Sequence, residues 1–189
     1  MSRRRARGST GRVEIGKRDE DAQARTAYLL GEAQVLRAEG KPRDALGSAE
    51  EVLGFRETLG ITFLTVKVAL VEALESAFML GDAEKTRELL GIVDELRPGE
   101  RPPLLEAHAH RFRGRLSGDE GEFIAAEDGF RELSMRFYLA VTSLEHGELL
   151  EELGRRDEAA PLLSAARAIF EELGARPWLD RVDLHAGVV

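Results

Sequence analysis

Four glycines at near-regular intervals constrain this sequence more than any other feature. Gly40, Gly81, Gly118 and Gly154 lie 41, 37 and 36 residues apart. Each one follows an apolar stripe and precedes a short polar stretch, in the contexts AEGKP, MLGDA, LSGDE and ELGRR. Glycine in such a place suits a left-handed helix end followed by a tight turn. The spacing therefore predicts four units of two helices each.

A second set of turn residues follows the second helix in three of these units. Gly60 and Gly174 each come 20 residues after the preceding turn glycine, whereas Ser134 comes only 16 residues after Gly118. A loss of four residues is about one helical turn, so we expect a shorter second helix in the third unit. The second unit ends instead at LRPGERPP, where three prolines stop one helix and begin the next.

The apolar residues between these turns recur at helical spacing. ITFLTVKVALVEALESAFMLGD carries one stripe at steps of three and four and a second stripe on another side, which is typical of a helix packed between neighbours. No segment alternates with a period of two, so we predict no strand. We expect an all-α chain, a helical solenoid of about four helix-turn-helix pairs. Residues 175–184 are predicted to form a closing helix, which covers the last pair with Trp178, Leu179 and Val182.

Charge divides the 189 residues unevenly. The net charge is −8, yet residues 1–18 carry seven basic side chains and a single acidic one. We interpret residues 1–21 as a basic flexible leader, residues 22–184 as the repeat domain and residues 185–189 as a short tail. An acidic body argues against nucleic acid as the main partner. The chain has no cysteine and no apolar run of ~20 residues, so we expect a cytoplasmic protein without a membrane partner.

The segment GRVEIGKR, residues 11–18, partly matches a phosphate-binding loop. That loop needs Ser or Thr after its lysine and a buried strand before its first glycine. Here Arg18 follows Lys17, and the preceding SRRRARGST is polar. We therefore expect no nucleotide site at this segment. No hydrolase, metalloprotease or cysteine-nucleophile motif occurs elsewhere, so we predict no catalytic residues, no cofactor and no metal.

Histidine and arginine are concentrated in AHAHRFRGR, residues 107–115. On a helix His108, Arg111 and Arg115 share one side, which is read either as a solvated basic stripe paired with acids or as an anion site. His110 and His146 occupy the same position relative to their turn glycines. They are either packed, hydrogen-bonded histidines or a coupled pair that senses pH.

The pattern resembles the tetratricopeptide repeat. That family places small or apolar residues at set positions around the turn glycine, and the fourth unit supplies Gly147, Leu150, Ala159, Leu163 and Ala166 there. The third unit departs from the family because Arg111 falls at a small-residue position. Residues 24–183 resemble more specifically the C-terminal repeat region of bacterial regulators that combine a nucleotide cyclase, an ATPase and such repeats. The segments that carry this likeness are EKTRELLGIVDELRPGERPPLLEAHAHRFRGRL and FYLAVTSLEHGELLEELGRRDEAAPLLSAARAIFEELGARPWLDR.

The resemblance implies a protein-binding role, because such repeats hold a peptide or helix on the inner face of their first helices. Carried over by the turn glycines, that face has an apolar middle and an acidic end, which suits a partner with apolar anchors and a basic flank. Packing against the N-terminal segment or a second copy of the chain is an alternative use of these residues. A ligand-sensing domain that modulates an ATPase or cyclase is the alternative function. The predicted groove consists of Val71, Phe78, Met79, His108, Phe112, Arg115, Glu148 and Glu151.

Overall fold

A computed structural model describes the backbone of residues 9–186 and the side chains of residues 21–185. Within these residues the chain is all-helical and contains no strand, which confirms the predicted class. Ten helices follow one another there: α1 Ser9–Ala38, α2 Pro42–Leu53, α3 Arg56–Leu59, α4 Leu64–Met79, α5 Ala83–Asp94, α6 Pro103–Ser117, α7 Glu120–Glu132, α8 Arg136–Glu152, α9 Arg156–Leu173 and α10 Arg176–Ala186.

The chain divides into two compact units between Ile92 and Val93, inside α5. The sequence predicts one repeat domain over residues 22–184, because the turn glycines continue across this point. The division lies just before the proline-containing segment after α5, where the regular alternation of turns is interrupted.

The N-terminal boundary of the helical part differs from the expected one. Helix α1 already begins at Ser9, so residues 9–21 are helical where the sequence predicts a flexible leader. These residues include Arg12, Glu14, Lys17, Arg18 and Glu20, which favour a helix, and the helix continues through Gly11 and Gly16. Residues 1–8 of the predicted leader and residues 187–189 of the predicted tail lie outside the described residues.

In the first unit, α1, α2 and α4 pack against one another in pairs. The second helix predicted for the first glycine-bounded segment is interrupted, because α2 ends at Leu53 and the short helix α3 follows. Alanine at the helix contacts allows close packing, and Ala33, Ala45 and Ala49 are fully buried. Larger side chains fill the remaining space, and the core also includes Leu29, Val52, Leu53, Val66, Leu70, Val71 and Leu74.

In the second unit, each helix from α6 to α10 packs against the next one along the chain. The predicted closing helix is confirmed: Val182 of α10 is buried, and Trp178 and Leu179 pack against the cluster formed by α8 and α9. Trp178 stacks on Phe170 with ring centres 5.6 Å apart and meets Phe137 edge-on at 5.7 Å. This aromatic cluster closes the C-terminal end of the second unit.

The predicted left-handed turns are confirmed. Gly40, Gly81, Gly118 and Gly154 have φ of 73°, 68°, 70° and 76°. At Gly154 the amide donates to Glu151 O at 2.9 Å and the next amide donates to Leu150 O at 2.8 Å, which is the Schellman pattern. The second set also adopts positive φ, and Ser134 with φ of 56° is the single non-glycine among the described residues to do so.

The prediction of a shorter second helix in the third unit is confirmed by comparison with the fourth unit, but not by comparison with the first and second units. Helix α7 has 13 residues and α9 has 18, whereas α2 and α5 have 12 each. The interruption after α2, which the glycine spacing did not reveal, accounts for part of this difference.

Candidate interaction face

In the second compact unit, a buried ion pair joins α6 to α8. Arg111 of α6 donates from Nε to Glu145 Oε2 at 2.6 Å and from Nη2 to Oε1 at 2.7 Å. Their side chains are only 1% and 2% exposed. A two-point contact between guanidinium and carboxylate is the geometry in which such a pair is strongest. Arg111 thus fills a position where the tetratricopeptide resemblance predicts a small residue.

Three further side chains surround this ion pair. Arg115 lies 3.4 Å from Glu145 Oε1. The guanidinium groups of Arg111 and Arg115 lie 5.0 and 5.1 Å from the centre of the Phe112 ring. His108, one turn away, is fully buried and meets Phe130 and Tyr138 edge-on. The expectation of a solvated basic stripe is therefore wrong for His108 and Arg111, because the packed helices leave them no contact with solvent.

The first unit contains the same kind of contact at a corresponding position. Arg37 of α1 donates to both oxygens of Glu72 in α4, at 2.6 and 3.2 Å. Glu72 and Glu145 both lie nine residues before a turn glycine, and Arg37 and Arg115 both lie three residues before one. Sequence reasoning missed these pairs, although the shared offsets from the glycines were a signal that could have found them.

At the C-terminal end, α10 supplies the basic partners of α8. Arg181 donates from Nε to Glu148 Oε1 at 2.7 Å, and His185 Nδ1 lies 2.6 Å from Glu151 Oε2. Burial is the largest single influence on the pKa of Arg181 and lowers it, but the hydrogen bonds to Glu148 and the attraction of the Glu148 and Glu145 carboxylates together outweigh it, so the pKa is raised. The acidic end predicted for the groove therefore carries positive charge from the chain's own last helix.

The structure places the remaining groove residues at different depths. In the first unit, Val71 is buried, Phe78 is half-buried and Met79 is 52% exposed. In the second unit, Phe112 is fully buried like His108, and the others are partly buried. The predicted peptide groove stays a prediction, and Met79 is its most exposed apolar member.

The two histidines at equivalent repeat positions both face carboxylates of α7. His110 Nδ1 lies 2.7 Å from Glu122 Oε2. His146 is buried, its Nδ1 lies 3.3 Å from Glu127 Oε1, and its ring stacks on Phe123 at 5.2 Å. This geometry fits packed histidines with polar partners, and a pH response of the pair stays a prediction.

Glycines inside the helices of the second unit allow the helices to approach closely. A Cβ added at Gly147 would lie 2.8 Å from Leu163 Cδ2, and one added at Gly114 would lie 2.9 Å from the Phe123 ring. Gly114 thus makes room for Phe123 on the same helix, α6, that carries the large side chain of Arg111.

Two clefts open on the second unit. One, of about 460 Å³, lies between α6 and α7, and His110, Glu106 and Asp128 line it. The other, of about 470 Å³, lies where α8, α9 and α10 meet. Its lining combines both signs of charge with apolar side chains and consists of Glu151, Arg156, Asp157, Ala160, Leu163, Ser164, Arg167, Val182 and His185.

In the described part of the chain, no group of three or more His, Asp or Glu side chains is placed to hold a metal ion. Nor is any helix there both long enough and apolar enough to span a bilayer. Comparison with protein-family models, with curated proteins and with solved structures found no match. The interpretation of this face therefore rests on the chain's own residues and geometry.

Proposed function

We propose that this chain is a protein-interaction module of the tetratricopeptide type, without catalytic chemistry of its own. Its partner is a helix or peptide that carries apolar anchors and a basic flank. Two features support the repeat type: the left-handed turns at similar intervals, and the arginine–glutamate pairs between successive first helices.

The observation that carries the proposal is the way α10 lies on α8 and α9. Its apolar side chains, Trp178 and Val182, join the cluster of α8 and α9, while Arg181 and His185 contact acidic side chains of α8. An amphipathic helix recognised by apolar anchors and flanking charge is a common mode of peptide recognition. The chain's own last helix thus has the chemistry that the sequence predicts for a partner.

The proposal is tested with a fluorescein-labelled peptide that copies residues 175–186. The full chain and its Arg181→Glu variant are compared by fluorescence polarisation. The variant loses the contact with Glu148 and gains a like-charge contact, so its own α10 competes less well for the face. We expect the peptide to bind the variant at least about tenfold more tightly than the wild type, which corresponds to ~1.4 kcal/mol.

Arg176→Glu is the matched control, because Arg176 lies in the same helix and is exposed. It should bind the peptide as weakly as the wild type does. A second peptide with Trp178→Ala should bind neither variant. If the Arg181→Glu chain keeps its helical circular dichroism and binds no peptide, this face is not a helix-binding site and the proposed function loses its main support.

The exposed end of α4 offers a test within the first unit. Met79→Glu places a charge on the most exposed apolar member of the predicted groove, and it should weaken capture of a physiological partner. Ile124→Glu is the matched control, because Ile124 is 51% exposed and Met79 is 52% exposed. Equal loss of partner in both variants would point to a general surface effect.

A second candidate function is a ligand-sensing domain that modulates an ATPase or a nucleotide cyclase. The cleft of about 470 Å³ favours it, because Arg156 and Arg167 stand beside Asp157 and Glu151 there. Such a lining suits a small ligand with charges of both signs. A thermal-shift screen of small metabolites should then give stabilisation that Arg156→Ala abolishes.

A further inference from the structure

Helix α1 carries two apolar stripes on opposite sides. Within the side-chain range, one stripe packs into the first unit and consists of Ala22, Thr26, Leu29, Ala33 and Leu36. The other consists of Ala24, Tyr28, Gly31, Val35 and Ala38, each two residues further along the chain. Two residues correspond to about 200° around a helix, so the second stripe faces away from the first.

The second stripe is exposed along its whole length. Tyr28 is 71% and Val35 is 57% exposed, and Ala24, Gly31 and Ala38 are also exposed. A Cβ added at Gly31 would meet no atom within 4 Å, so nothing inside the unit requires glycine there. The residues follow one another at steps of four, three, four and three, which is the heptad seam of paired helices. Sidedness, exposure and spacing together indicate a surface that pairs with another helix.

We propose that this stripe, Ala24 to Ala38 on α1, is a self-association surface that pairs antiparallel with the same stripe of a second copy of this chain. In this register Tyr28 lies against Gly31 of the second copy, and Val35 lies against its Ala24. Each of the four layers between Ala24 and Val35 then combines one large and one small side chain, which fills this part of the seam. A parallel pairing would instead place Gly31 against Gly31 and leave a gap between the two tyrosines and the two valines.

The charges that flank the stripe favour the same arrangement. Arg25 and Glu32 occupy equivalent heptad positions beside the seam, and antiparallel pairing brings Arg25 next to Glu32 of the second copy, twice by symmetry. The Arg25 side chain is 64% exposed, and its contact with Glu51 at 3.4 Å is an exposed one that can be exchanged. Glu32 accepts a hydrogen bond from Ser48 Oγ at 2.8 Å, which holds its carboxylate at this edge of the helix.

Because the chain has no cysteine, the arrangement can be tested by site-specific cross-linking. Two full-length chains with different tags are used, one with Ala24→Cys and the other with Val35→Cys. Antiparallel pairing places these positions in one layer, whereas two copies of Ala24 lie about 16 Å apart along the seam, too far for a disulfide. We expect mixed disulfides between the two tags in mild oxidation and few disulfides within either tag.

Gly47→Cys is the matched control, because Gly47 is an exposed helical glycine of α2 with no atom within 4 Å of an added Cβ. It should give no cross-link above the background of random collisions. Disulfides within each tag in place of mixed ones would show parallel pairing and overturn the proposed arrangement.

The association itself is tested by analytical ultracentrifugation of the full chain without cysteines. Tyr28→Glu places a charge in the seam and should raise the dimer dissociation constant by at least about tenfold. Leu184→Glu is its control, because Leu184 is 75% exposed on α10 and should leave the dimer intact. If the wild-type chain remains monomeric at its highest soluble concentration, the proposal is wrong. The stripe would then bind a different partner. The ultracentrifugation result is independent of whether the α10 peptide binds in the fluorescence polarisation experiment.

Discussion

Each unit contains a two-point arginine–glutamate pair, and the two pairs lie in different environments. Arg37 and Glu72 in the first unit are 32% and 9% exposed, whereas Arg111 and Glu145 in the second unit are 1% and 2% exposed. Both arginines make two-point contacts with the carboxylate. Solvent reaches the pair in the first unit, through Arg37, and does not reach the pair in the second unit. If the contact is broken, water can solvate the remaining charge in the first unit, whereas the remaining charge in the second unit stays buried without its partner.

The glycines inside the helices also have less free space around them in the second unit than in the first. An added Cβ meets nothing at Gly31 and Gly47 of the first unit, but it meets side-chain carbons closer than 3.0 Å at Gly114 and Gly147 of the second. The second unit therefore depends more on the identity of individual residues at its helix contacts. Two pairs of matched changes test this difference, and two further tests probe local features of the second unit, in order from the largest expected effect to the smallest.

The largest effect is expected from Arg111→Met. This change leaves Glu145 buried with only the longer contact to Arg115 in its place, and it should lower the free energy of unfolding by about 3–5 kcal/mol. The change in the first unit, Arg37→Met, should cost about 1–2 kcal/mol, because Arg37 is 32% exposed and water can take the place of its guanidinium beside Glu72. Urea unfolding followed by circular dichroism measures both values.

A double variant, Arg111→Met with Glu145→Leu, shows whether Arg111→Met loses stability because Glu145 is left charged and buried or because packing is lost. It should recover most of the stability that Arg111→Met loses, because no buried charge remains. Equal losses in the two units, or no recovery in the double variant, would contradict the comparison.

The second effect concerns the close helix contacts. Gly147→Ala should lower the free energy of unfolding by about 1–3 kcal/mol, because its Cβ would overlap with Leu163. Gly47→Ala in the first unit should raise it by about 0.5–1 kcal/mol, because alanine favours the helix and has open space there. Opposite signs in thermal unfolding would support the difference between the units, whereas a stabilising Gly147→Ala would refute it.

The third effect lies at the turn after α7. Ser134 has a φ of 56°, a conformation that costs a non-glycine residue about 1 kcal/mol, so Ser134→Gly should stabilise the chain by about that amount. Ser134→Ala keeps the unfavourable conformation and should leave the melting temperature nearly unchanged. If both variants melt at the same temperature, the strain is absent.

The smallest effect is a pH dependence at the start of α9. Hydrogen bonds from Arg155 lower the pKa of Glu158 below its usual 4.5. A lowered pKa means that the pair adds stability above pH 4.5 and that this contribution disappears as the pH falls through the lowered value. Glu158→Gln should therefore be slightly less stable than the wild type at pH 7 and equally stable in stronger acid. A difference that persists unchanged at low pH would show that Glu158 acts by another route.

The sequence predicted the turns well and the side-chain environments poorly, for physical reasons. Glycine at a left-handed helix end is a local requirement, so Gly40 and Gly154 could be placed without knowledge of the rest of the chain. The burial of Arg111 involves Glu145, 34 residues away, and the close packing of α6 on Phe123 requires Gly114. Such compensation appears only when helices are packed together.

The same limit applies to the candidate site. Repeat positions carried over from a family assume that every unit places its side chains alike, yet His108 and Phe112 are buried where exposed groove residues were expected. The contact of α10 with Glu148 and Glu151 was also missed, because a closing helix was considered only for its apolar side. The sequence pattern predicts a basic external partner for these glutamates, whereas the structure pairs them with basic side chains of the same chain.

Trp178 is the chain's single tryptophan, and it lies on the helix that closes the second unit. Its indole stacks on Phe170, and the guanidinium of Arg181 lies 5.6 Å from the ring centre. The intrinsic tryptophan fluorescence of the protein therefore has one source at one location. Release of α10 would transfer that indole to water and shift its emission to longer wavelength, so the docking of this helix can be followed in the unmodified protein.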